Sequence, residues 1–388
     1  MRILYHHRTQ AEDGQAVHIR ALQQAFVEEG HELDEVALVE RASTPAPHAP
    51  KAKPSAWRSV TKRPRFAREA AEYAYTLVAE RKVLAAARRF QPDFVYERYA
   101  FGNLGGVRAC KRLGVPLVLE VNSPMVLELS RTRGLSFPGF ARRMETRIFQ
   151  GADLVCVVTG VLGDMLADYG VARERLLVTP NGVHLEQYRE PSPEGRARAR
   201  AALGLDAPGL VFGFTGYYRD WHRLDLVVEA LATPELRDAR LVLVGEGPAR
   251  AELEARARST GTTARVHFVG PKPHAEIPAL LEAFDVALVP AINPYASPLK
   301  LHEYMAARLA VIAPDQPNLR ELLTTGENAW LVRPGDGESL TDALRALAGD
   351  AALRARLGAA AQRTIVERDL TWRGNAKRVV AAVKGLRR

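Results

Sequence analysis

The stretch Val286-Ala-Leu-Val-Pro-Ala-Ile-Asn-Pro-Tyr-Ala-Ser-Pro-Leu-Lys-Leu-His-Glu-Tyr-Met-Ala-Ala307 begins as a short uncharged run, crosses a loop marked by Pro290, Pro294 and Pro298, and enters helical spacing. An apolar strand that feeds a helix is the building unit of a parallel sheet with both faces covered. The same alternation recurs along the whole chain. In the first half, strands are expected at 3–6, 33–38, 94–96, 117–121, 154–158 and 176–178. The series breaks at the turn signal Pro180-Asn181-Gly182, followed by a Pro- and Glu-containing stretch at 190–194. A second series is expected at 211–214, 241–244, 266–269, 286–289, 311–312 and 330–332. The chain therefore reads as α/β, with two Rossmann-like doubly wound domains facing across a cleft. The domains are expected at 1–182 and 183–371, the first completed by a C-terminal helix at 372–388. Ligands in such sheets bind beyond the carboxyl ends of the strands.

Composition agrees with that size. The 388 residues carry 54 Lys+Arg against 45 Asp+Glu, with 47% hydrophobic and 26% charged residues, ordinary globular usage for about two domains. Cys110 and Cys156 are far apart and support neither a disulfide framework nor a zinc cluster. The start lacks a secretory core and no segment is long and apolar enough to span a bilayer, so a cytoplasmic protein is expected. Between Lys51 and Arg89, basic residues outnumber acidic ones by eight, nearly the whole net charge. The first part, 44–64, is proline-rich and reads as a loop, whereas 66–90 has helical spacing. Segment 51–89 suits an anionic membrane surface, an acidic acceptor or simply solvent. It carries no base-reading module, so nucleic acid is not the expected partner.

Several chemistries lose support. The loop after the first strand offers a single glycine, Gly14, not the Gly-x-Gly-x-x-Gly of a dinucleotide site, and Gly245-x-Gly247 is only a partial match. No Walker-type loop, Gly-x-Ser-x-Gly elbow or His-Glu-x-x-His pair is present. The loop and helix at 290–307 carry the positive signal. Ser297 is expected as the N-cap and Pro298 at the first helical position. Lys300 then stands where a capping glutamate would, against the positive end of the helix dipole. A negative ligand is expected there: the amides of Leu299 and Lys300 with the Lys300 ammonium suit a diphosphate oxygen. Glu303, three residues on, can accept hydrogen bonds from vicinal hydroxyls such as those of a ribose. An exposed Lys300–Glu303 ion pair is the plain alternative.

With these motifs, the sequence resembles the GT-B glycosyltransferases of the large group called family 4. The resemblance spans nearly the whole chain and rests on Pro180-Asn181-Gly182-Val183, on Val244-Gly245-Glu246-Gly247-Pro248, on Ser297 to Ala306, and on the helix after Thr371-Trp372. It implies transfer of a sugar from a nucleotide diphosphate sugar, UDP- or GDP-linked, to an acceptor hydroxyl with retention of configuration. A nucleotide-sugar epimerase of the same architecture is the rival. The donor is expected on the C-terminal domain and the acceptor, a saccharide, lipid-linked or small molecule, on the N-terminal one. Glu303 matches the second glutamate of the family's Glu-x7-Glu element, and Tyr295 occupies the place of the first. Tyr295, Ala296, Ser297 and Leu299 are thereby expected near the sugar and β-phosphate. The family's Gly-Arg and Lys-Gly pattern is replaced by Gly216-Tyr217-Tyr218-Arg219-Asp220-Trp221-His222-Arg223, where Arg219 is the expected phosphate cation and His222 or Arg223 the alternatives. Gly14 matches a loop that approaches the donor phosphates, while His18 and Asn122 are candidate acceptor or sugar contacts. Lys300 and Arg219 would stabilise the leaving diphosphate, and neither a metal nor another cofactor is expected.

Overall fold

The computed structural model describes residues 1–9, 14–37, 64–205 and 209–386. The chain divides into two compact units, Met1–Pro180 with Arg373–Arg388, and Asn181–Trp372. The first holds the parallel strands β1 (Arg2–His7), β2 (Glu32–Ala37), β3 (Phe94–Arg98), β4 (Leu117–Val121), β5 (Leu154–Val157) and β6 (Leu176–Val178), ordered β2-β1-β3-β4-β5-β6. The second holds β7 (Val211–Thr215), β8 (Arg240–Val244), β9 (Val266–Gly270), β10 (Val286–Leu288), β11 (Ala310–Pro314) and β12 (Trp330–Val332), ordered β12-β11-β10-β7-β8-β9. Each strand segment expected from the sequence forms, with ends displaced by at most two residues. Burial on both faces explains this: every residue of β4, β5, β7 and β11 is buried. Gly213, in the middle of β7, is required by packing, since a Cβ there would lie 2.0 Å from the Phe284 ring.

The strand order reverses between β1 and β3 in one sheet and between β7 and β10 in the other. Such reversal points open a crevice at the strand C-terminal ends, where ligands of doubly wound sheets sit.

Near the unit boundary, Val183 bridges to Thr371 in parallel fashion. A Cβ on Gly182 would lie 2.5 Å from the Trp372 nitrogen, so only glycine lets the two backbone segments pass this closely. The basic helix of the first unit runs Arg65–Phe90 and buries Tyr75, Ala79, Val83, Ala86 and Ala87. Its Glu80 is also buried, paired with Arg108 at 3.0 Å and Arg112 at 2.6 Å. Of the proline-rich segment, 44–63 lies outside the described residues. Both cysteines are free and buried, and burial pushes their thiols up.

Candidate active site

In the second unit the loops leaving β7 and β10 converge on one aromatic ring. Phe214, near the end of β7, carries the Lys300 ammonium 3.6 Å from its ring centroid and the His222 ring edge-on at 5.1 Å. Gly216 follows with φ +125°, and a Cβ there would lie 3.0 Å from Lys300 Nζ. The absence of a side chain at 216 therefore leaves the ammonium its space. Tyr304, one turn beyond Lys300, binds the end of β7 through its hydroxyl, 2.7 Å from the Thr215 amide and 3.0 Å from Thr215 Oγ1.

The Gly245-Glu246-Gly247 loop after β8 is a support for this arrangement. Gly216 N donates to Val244 O at 2.8 Å and Tyr218 N to Glu246 O at 2.6 Å. A Cβ on Gly245 would lie 2.0 Å from Gly216 O, and one on Gly247 2.2 Å from Tyr218 O. These glycines permit close approach of two backbones, a role their partial dinucleotide pattern did not indicate.

Lys300 has no carboxylate partner among the described residues, so the exposed Lys300–Glu303 ion pair does not form. Burial pushes its ammonium down to about 7, and the Glu303 charge only partly opposes that. His222 is buried and pushed down to about 3 by desolvation, with the Lys300 and Arg219 charges adding to the effect. It is therefore neutral. Arg223, at φ +54°, is held by Asp225 through contacts of 3.1–3.3 Å. Of the three cation candidates in this loop, Arg219 alone is exposed and without a carboxylate among the described residues; its guanidinium lies 4.9 Å from the Tyr217 ring centroid.

The helix carrying Lys300 runs Leu299–Ala306, and here the sequence expectation is corrected. Pro298, not Ser297, occupies the N-cap, with no side-chain cap. The Ser297 hydroxyl instead accepts the Asn181 amide at 3.2 Å, and the Asn181 side chain donates to the Ser297 carbonyl. Lys300 thus falls at the second helical position, among the first-turn amides that have no intrahelical acceptor. His302 Nδ1 donates to Pro298 O at 3.1 Å, and burial pushes this ring down to about 4, keeping it neutral.

Glu303 is buried, and His274 Nε2 lies 2.6 Å from its Oε1. The carboxylate reaches the site already oriented by a histidine that the sequence reading did not single out. Tyr295 is buried within a turn. The turn is fixed by Asn318, which donates to Asn293 O at 3.2 Å and Ala296 O at 2.7 Å.

In the first unit, a cavity of about 550 Å³ lies at the strand reversal, lined by residues at or just beyond the ends of β1 (Arg8, Thr9), β3 (Arg98 to Phe101) and β4 (Asn122, Ser123). Glu120, at the end of β4, is the buried hub beneath it. Tyr96 donates to it at 2.9 Å, Asn122 at 2.5 Å, His18 Nε2 lies at 3.1 Å, and Arg98 pairs with it. Burial alone would raise this carboxyl, but the His18 and Arg98 charges with the His18 and Asn122 hydrogen bonds hold it well below the usual range. Asn122 lines the cavity, whereas His18 is buried against Glu120. Gly14 begins the Gly14–Glu28 helix and is exposed.

Two six-stranded parallel sheets, each with a constellation at its strand reversal, define a GT-B architecture. The solved structure of Anabaena HepE in complex with UDP superposes with a TM-score of 0.75 at 18% identity, covering 99% of this chain and 100% of that one. Sucrose-phosphate synthase from Thermosynechococcus elongatus gives 0.75 at 20% identity, covering 100% and 99%. At such identities the likeness concerns the fold. Residues 13–187 match the family described as Glycosyltransferase Family 4 and residues 195–364 that described as Glycosyl transferases group 1. With both halves matched, the chain belongs to the family 4, group 1 glycosyltransferases. A D-inositol 3-phosphate glycosyltransferase from Streptomyces avermitilis is 30% identical over 285 residues, covering 70% of this chain and 61% of that protein. The match thus spans under two thirds of the relative's length.

Proposed function

We propose that the protein transfers a sugar from a nucleoside diphosphate sugar to an acceptor hydroxyl, with retention at the anomeric carbon. The observation that carries this reading is the Lys300 ammonium, held on Phe214 beside Gly216 with no carboxylate partner among the described residues. A cation kept in that state at a helix N-terminus suits a multiply charged oxyanion. Lys300, Arg219 and the amides of Leu299 and Lys300 bind the diphosphate, and Glu303, oriented by His274, accepts from the ribose hydroxyls.

Breaking the glycosyl–phosphate bond leaves positive charge on the sugar and negative charge on the departing diphosphate. Cations fixed beforehand around the leaving group stabilise that separation without reorganising. Two side-chain cations and helix amides supply this in the absence of a metal, so chelation is expected to leave turnover intact. The acceptor hydroxyl attacks from the face of the leaving group and passes its proton to the departing phosphate oxygen. The cavity in the first unit, with Asn122 in its wall, is the proposed acceptor side.

A thermal-shift panel of UDP- and GDP-sugars tests the donor class, with UDP first because HepE was solved with UDP. A ligand at 100 times its dissociation constant stabilises by about 2.7 kcal/mol. Proton NMR of the product then reads the anomeric configuration. Release of free nucleotide only when acceptor is supplied distinguishes transfer from epimerisation.

A further inference from the structure

The described part of the basic helix is not the most distinctive charged surface of the first unit. Between Arg131 and Arg143 the sequence Arg-Thr-Arg-Gly-Leu-Ser-Phe-Pro-Gly-Phe-Ala-Arg-Arg holds four arginines and no carboxylate, two on each side of Phe137-Pro138-Gly139-Phe140. Phe137 and Phe140 are 46% and 48% exposed, and Phe66, at the start of the Arg65–Phe90 helix, is 57% exposed. Arg131, Arg133 and Arg143 have no carboxylate partner among the described residues.

The tip is held in shape from beneath. The buried Glu69 carboxylate accepts the amides of Ser136 and Phe137, the latter at 3.1 Å, and Phe140 stands edge-on to Tyr73 at 4.7 Å. The Arg65 guanidinium would lie 2.8 Å from a Cβ on Gly134, which brings the helix start against this segment. In the same helix Glu69 and Glu80 are turned inward, and Arg65 at its start is exposed. Exposed aromatic rings on a fixed tip, ringed by unpaired guanidinium groups, have the chemistry of a surface that meets an anionic lipid headgroup layer. On surfaces of that kind, aromatic rings enter the acyl boundary and guanidinium groups contact lipid phosphates.

We propose that the Arg131–Arg143 segment, with Arg65 and Phe66, docks the protein on an anionic bilayer. This goes beyond the glycosyltransferase reading and does not depend on it. Met125, Leu129 and Arg133 link the segment to the cavity wall of the same unit, so docking would bring that cavity to the lipid surface.

Flotation of the full chain with vesicles containing phosphatidylglycerol, against vesicles of phosphatidylcholine alone, tests it. Binding is expected only to the anionic vesicles and is expected to weaken as salt rises. Arg131→Gln with Arg133→Gln and Arg143→Gln should weaken partitioning by about fivefold per charge removed, on the order of a hundredfold together. Phe137→Ser with Phe140→Ser should weaken it at least about tenfold while circular dichroism and thermal melting stay native. A Phe137→Trp variant should show blue-shifted emission on anionic vesicles only. Equal binding to both vesicle types, native binding by the folded variants, or an unshifted Trp emission would overturn the proposal. So would concentration-dependent self-association that the Phe137→Ser/Phe140→Ser change abolishes while no vesicle binding occurs, which would assign the tip to a second copy of the chain.

Discussion

Replacing Lys300 by Met tests the account from two directions. Met keeps apolar volume on the Phe214 ring and removes the charge. On the catalytic side, deleting one fixed charge-assisted donor to a developing oxyanion costs about 2.7–4 kcal/mol in the barrier, so kcat should fall about 10²–10³-fold. On the stability side, Lys300 sits at about 7 in the folded chain against 10.5 as its ordinary value. The unfolded chain therefore holds the extra proton between about pH 7 and pH 10.5, and wild-type stability gains with rising pH across that window. At about 1.4 kcal/mol per pKa unit, the shift corresponds to a few kcal/mol. Lys300→Met should abolish this gain and melt above wild type at pH 7. Donor binding carries the same signature with opposite sign. The diphosphate takes the protonated ammonium, so the donor Kd of the wild type should rise up to about tenfold per pH unit above 7, and that of the variant should not. Melting curves and calorimetric titrations between pH 6 and pH 10 provide the readouts. Turnover within threefold of wild type, or the same pH-dependence of Kd in both proteins, would refute the reasoning.

Further outcomes follow from individual contacts. Glu303→Gln should raise the donor Kd by about 10- to 100-fold, because a hydrogen bond to a charged group contributes about 1.5–3 kcal/mol; His274→Ala should raise KM by less and leave kcat nearly unchanged. Gly216→Ala places a methyl 3.0 Å from Lys300 Nζ at φ +125°, and should cost about 1–3 kcal/mol of stability in a denaturant titration and weaken donor binding. Asn181→Ala removes the side-chain donation to the Ser297 carbonyl while keeping the backbone amide on the Ser297 hydroxyl, and is expected to cost about 1–3 kcal/mol in the melt and raise donor KM.

How much of this could be read from the sequence depended on the range of the interaction. Strands such as 117–121 were legible because burial on both faces leaves continuous apolar runs. Lys300 stands out in the sequence because a cation at a helix start is locally unfavourable, and in the structure its ammonium rests on the Phe214 ring with no carboxylate partner among the described residues. Ser297 was misassigned because Ser-Pro is a sound local N-cap pattern, and nothing nearby announces that Asn181 will take the hydroxyl. His274 was invisible for the same reason: its partner Glu303 lies on a different element, and a single His after a strand carries no pattern. His18 is a candidate acceptor or sugar contact by its position on the first helix, and the structure buries it against Glu120 in a hub assembled from three separate segments. Arg219 is the cation the sequence favours, with His222 and Arg223 as alternatives, and what the sequence does not show is the Asp225 clamp on Arg223 and the burial of His222 that set those two apart.

The most direct measurement is a structure of the protein with bound UDP. Diphosphate oxygens within about 3 Å of Lys300 Nζ and the first-turn amides of the Leu299–Ala306 helix, with ribose hydroxyls on Glu303, are the predicted result. A diphosphate bound elsewhere, with Lys300 still resting on Phe214 and touching no ligand atom, would contradict the account.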